Sequence, residues 1–109
     1  MATPLLMPAV LATALPARLQ APVCVESLHV YNASDAAAFV QLFDAASLAD
    51  VTVGTTVPKW SIGLATATST HLIDCQVNFM LGLVVAATTT ATGSSAPSAA
   101  LVVNFALTP

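Results

Sequence analysis

A chain of 109 residues is long enough for one domain, and this one carries only seven formal charges: Arg18, Glu26, Asp35, Asp44, Asp50, Lys59 and Asp74. A soluble protein spends about a quarter of its residues on charge; so bare a surface resists precipitation badly, which points to a subunit packed within a larger assembly. Two isolated cations exclude a phosphate-backbone binder. A membrane-spanning helix is excluded too, because no apolar run approaches about 20 residues.

Residues 1–22 contain Pro4, Pro8, Pro16 and Pro22, which favour extended backbone over helix. Leu5, Leu6, Met7, Val10, Leu11, Leu15 and Leu19 make the same stretch apolar. An extended apolar segment needs a surface to lie on, either the domain's own sheet or a neighbouring subunit. The expectation taken forward is an arm reaching onto an adjacent subunit, with Leu5, Leu6, Met7, Val10, Leu11 and Leu15 as interface residues. No Lys or Arg precedes the run as an export leader requires, so synthesis without export is expected.

Beyond the arm the pattern is that of strands. Residues 22–31 are β-branched and aromatic, and Asn32, Ala33, Ser34 and Asp35 supply turn chemistry. Residues 37–44 fit two periods. Phe39, Leu42, Phe43 and Ala46 recur at helical spacing behind Ser34 or Asp35, yet the segment also reads as a strand apolar on both faces. Its strand-like neighbours decide for strand. Residues 51–53 and 57–64 continue as strands across Gly54, Thr55 and Thr56. Trp60 shares a face with Ile62, as core packing or as an interface anchor.

The alternation between 73 and 81 is the clearest. Ile73, Cys75, Val77, Phe79 and Leu81 face one way, and Asp74, Gln76 and Asn78 the other. Residues 83–89 and 99–107 flank the turn-rich stretch 92–98 and read as a hairpin, with Leu101, Val103, Phe105 and Leu107 on one face. Ala/Thr-rich stretches at 65–70 and 88–92 suit edge or exposed strand faces. The expected fold is all-β: a small β-sandwich, jelly-roll or Ig-like, over residues 23–109, with the N-terminal arm at 1–22.

Chemistry is sparse. Cys24 and Cys75 pair as a disulfide only if their strands are neighbours, and synthesis in a reducing compartment favours two buried thiols. Cys24 and His29, five positions apart on a strand, point to opposite faces, so they do not form a zinc site with His71 and Cys75. The two histidines read as unrelated. Ser69, His71 and Asp74 lack a nucleophile elbow, the acids are scattered, and four dispersed glycines make no phosphate-binding loop. The expectation is a non-enzymatic protein with no catalytic, metal or cofactor residues.

Four pieces of the chain carry a resemblance. They are Tyr31-Asn32; residues 39–45 (FVQLFDA); residues 53–58 (VGTTVP); and residues 82–90 (GLVVAATTT) with Gly93, Ala96 and Pro97 following. Together they resemble small virion proteins of tailed bacteriophages across roughly residues 28–105. The resemblance implies a capsid decoration, or cement, subunit that bridges neighbouring major capsid proteins, self-associates, and resides on the virion. A tail, fibre or receptor-binding module is the alternative, and a secreted bacterial surface protein is a more distant one.

Overall fold

The computed structural model describes residues 5–6, 10–19 and 22–108, with residues 5, 6, 10 and 11 described by backbone alone. Among the described residues ten strands follow in chain order: β1 (Leu5–Leu6), β2 (Val10–Ala12), β3 (Ala17–Arg18), β4 (Val23–Tyr31), β5 (Ala38–Asp44), β6 (Trp60–Leu64), β7 (Ser69–Leu72), β8 (Val77–Phe79), β9 (Leu83–Thr88) and β10 (Leu101–Thr108). A short 3-10 turn at Leu48–Asp50 is the helical element among the described residues, and no helix there is long and apolar enough to cross a membrane.

The strands form two antiparallel sheets that pack as a small β-sandwich. In the first, β10 and β4 lie side by side; β1 and β2 follow one another along the outer edge of β10, and β7 and β8 along that of β4. The second runs β3, β9, β5, β6. Between them lies a core of Val25, Leu28 and Val30 from β4, Leu101, Val103, Phe105 and Leu107 from β10, Val40 and Leu42 from β5, and Val85 from β9. Its side chains come from alternate strand positions, as a two-layer sandwich requires, except between Val25 and Leu28 on β4.

The second sheet is buried on both faces. Phe43, Ala45, Val51, Val84 and Ala86 form a smaller apolar cluster on its outer side, with Val53 packed against it. Two loops roof this side. Gln41 Nε2 on β5 donates to the Gly93 carbonyl at 3.1 Å, and Ser61 Oγ on β6 donates to the Ala91 carbonyl at 2.9 Å. Residues 51–53, expected as a strand, belong to this roof. Double-sided burial also explains the two periods of residues 37–44: a strand apolar on both faces loses the alternation that marks a strand. It is β5.

The N-terminal segment does not stand off as an arm in its described stretches. Leu5 and Leu6 pair with Leu107 and Ala106, and Val10, Leu11 and Ala12 with Val103, Val102 and Leu101. The chain then crosses to the second sheet, where Ala17 and Arg18 pair with Val85 and Val84. In these stretches the segment follows the alternative reading, strands laid on the domain's own sheets.

Three further expectations change. Residues 83–89 and 99–107 are not a hairpin, because β9 lies in the second sheet and β10 in the first. Ile73 is 68% exposed and Leu81 59% exposed, so neither joins the inward row of Cys75, Val77 and Phe79. Positive φ angles of 55° at Asp74 and 48° at Gln76 break the strand and reset its alternation. Leu81 lies past the end of β8 in a turn fastened by Asp44. Gln76 and Asn78 are exposed, as expected.

Candidate interaction face

The described residues leave the outer face of the first sheet uncovered, and its composition follows from strand parity. On β10, Val102, Asn104 and Ala106 point outward between buried neighbours. On β4, Val23, Val25, Leu28 and Val30 point inward, so the alternation slips between Val25 and Leu28. Ser27 pairs with Ala106 while Val25 pairs with Leu107, which makes Glu26 the extra residue of a β-bulge. Cys24 and His29 therefore share the outer face despite their odd separation. They still lie roughly 15 Å apart at about 3.3 Å per residue, too far to ligate one ion.

Cross-strand register arranges the face in rows. Val102, Tyr31 and Ser69 form one, Asn104, His29 and His71 the next, then Ala106 with Ser27, and last Thr108, Cys24 and Asn78. The imidazoles of His29 and His71 stand with ring centroids 5.8 Å apart and planes crossed at 84°. A shallow hollow beside them is lined by Ser27, His29, His71, Asn104 and Ala106, with Leu28 and Phe105 at its floor. None of these rows carries a charged residue; Glu26 sits at the bulge between them, and its Oε1 accepts a hydrogen bond from Thr108 Oγ1 at 2.9 Å. Arg18 and Lys59, the chain's two cations, both belong to the other sheet and its loops.

The cysteines are free thiols. Burial, followed by the nearby Glu26 carboxylate, pushes Cys24 above the usual thiol range. Burial also raises Cys75, whose Sγ lies 3.3 Å from the Glu26 carbonyl oxygen and 3.5 Å from that of Val25. Both are thereby kept in the thiol form, the weak nucleophile.

Two polar residues organise the ends of the sandwich. Asn32, fully buried just past β4, donates from Nδ2 to the carbonyls of Ala36, Leu64 and Ala65 and accepts at Oδ1 from both the amide and the hydroxyl of Ser34. It ties the turn after β4 to the end of β6. At the opposite end of β5, the Asp44 carboxylate accepts from the amides of Met80, Leu81 and Gly82 at 3.1, 2.8 and 3.3 Å. Burial pushes this carboxyl up, but those three amides and the Lys59 ammonium 4.0 Å away outweigh it and hold it below its ordinary range. The turn so held carries Met80, which is 69% exposed, and Leu81.

Of the expected interface residues, Leu15 lies between β2 and β3 and is 81% exposed, whereas Trp60 is half-buried against the main core. Met7 and the side chains of Leu5, Leu6, Val10 and Leu11 lie outside the described residues. Sequence reasoning missed the pairing of His29 with His71, because register between β4 and β7 is not written in either strand alone. Among the described residues, no three His, Cys, Asp or Glu side chains converge as a metal cluster. Comparison with known protein families, curated proteins and solved structures finds no match.

Proposed function

We propose that this protein is a non-enzymatic structural subunit that packs against its neighbours through the outer face of the first sheet. The observation that carries this reading is the contrast between the two sheets. The described residues roof the outer side of the second with their own loops and leave the outer side of the first open, with Tyr31, Val102, Ala106 and the histidines on it and Glu26 at its bulge. An open sheet face with a single carboxylate suits association, because like charges across an interface oppose docking while apolar contact favours it at roughly 25 cal/mol per Å². The resemblance in residues 28–105 suggests the setting: a decoration subunit on a bacteriophage head, bridging capsid proteins and contacting further copies of itself.

The test places a charge on the face. Val102→Asp points outward, so it should leave the β-sheet dichroism unchanged while reducing self-association in sedimentation and retention on purified particles. Copies per particle then separate the settings: hundreds fit a shell subunit, and a dozen or fewer fit a tail. A wild-type chain that stays monomeric at high concentration and binds no particle would overturn the proposal.

A further inference from the structure

We propose that His29 and His71 form a two-imidazole site for a divalent transition-metal ion of the Zn²⁺ or Ni²⁺ class. The residues are Cα partners on adjacent antiparallel strands and both side chains lie on the outer face. Metal–nitrogen bonds of about 2.0–2.1 Å, added to a ring radius of about 1.1 Å, put the centroids of two imidazoles on one ion roughly 5–6.4 Å apart. The observed 5.8 Å lies within that interval. Crossed planes keep the rings from stacking, and His71 is exposed on an edge strand, where its ring can turn a nitrogen toward the point shared with His29.

The surroundings fit a dication. Ser27 and Asn104 offer oxygen atoms on the same hollow, and water completes the coordination sphere. Arg18 is on the other sheet, and the Lys59 ammonium reaches this sheet only at the Asn78 carbonyl, on the Cys24 row away from the histidines, so no positive side chain stands beside the ion. Imidazole is the donor that borderline ions of this class take readily.

The experiment titrates Zn²⁺ and Ni²⁺ separately into the full chain carrying Cys24→Ser and Cys75→Ser, which removes thiolate as a competing ligand, and reads binding by calorimetry and thermal melting. One ion per chain is expected, with a rise in melting temperature as metal is added. His71→Ala and His29→Ala should each weaken binding by roughly tenfold or more and abolish that rise. His71 is exposed, so its variant keeps the test decisive even if replacing the half-buried His29 disturbs the sheet. Equal affinity in the His71 variant, one ion shared between two chains, or no binding at millimolar metal would each overturn the site.

Discussion

The ring of Phe39 on β5 lies across Gly63 on the edge strand β6, so that a β-carbon at position 63 would stand 2.6 Å from the Phe39 Cε2 atom. The glycine leaves a gap in the outer surface of the second sheet and the aromatic ring of its cross-strand partner fills it. Gly63→Ala should therefore destabilise the protein by about 1–3 kcal/mol, because the ring must move. In a Phe39→Ala background the sign should change, since alanine then only reduces the freedom of the unfolded chain. Denaturant unfolding of the two single variants and the double variant measures this coupling; additive effects would show that the ring does not constrain the glycine.

Asn32→Asp keeps the shape of the side chain but replaces three donated hydrogen bonds with a carboxylate facing the carbonyls of Ala36, Leu64 and Ala65. The site is fully buried. A loss of about 3 kcal/mol or more is expected: Ser34 still donates to one carboxylate oxygen, but the other is buried against three carbonyls with no donor in place of the amide. Equilibrium unfolding at neutral pH tests it, and a loss below 1 kcal/mol would contradict the clamp.

The Asp44 carboxyl is held below its ordinary value of 3.8, so its stabilising effect is complete above that pH and fades as acid carries the protein down through the lower folded value. Asp44→Asn should cost about 1–2 kcal/mol at neutral pH. The gap in melting temperature between wild type and variant should be widest near about pH 6 and shrink towards about pH 2. A gap independent of pH would mean that charge plays no part in fastening residues 80–82.

Removing residues 1–20 strips β1 and β2 from the edge of β10 and β3 from that of β9, and takes the buried Ala12 out of the core. The shortened chain should lose a large share of the about 5–15 kcal/mol typical of a domain, seen as a lower and broader thermal transition. Unchanged melting would return the segment to the role of an arm.

Much of the sandwich is legible where one face of a strand is wet. Leu101, Val103, Phe105 and Leu107 alternate with half-buried residues, and both sequence and structure put them inside. Legibility fails where local geometry resets the count. The bulge at Glu26 reverses the parity between Cys24 and His29, and the positive φ angles at Asp74 and Gln76 turn Ile73 outward. It fails again where partners are distant in sequence. Nothing within residues 83–107 says that β9 and β10 belong to different sheets, and His29 meets His71 only through a register set by the whole β4–β7 pairing. The candidate face was therefore invisible in the sequence, although most of its strands were not.

The pairing of Leu5 with Leu107, and of most of β4 with β10, governs how the protein is made. A ribosome delivers β1, β2 and β4 long before β10, so the strand edges that pair with β10 must wait, unpaired, until residues 101–108 emerge. Contacts this far apart in sequence also make closure slow. During that interval the nascent chain is most open to pairing with another copy of itself. The arrival of β10 pairs these strands within the first sheet and ends that exposure.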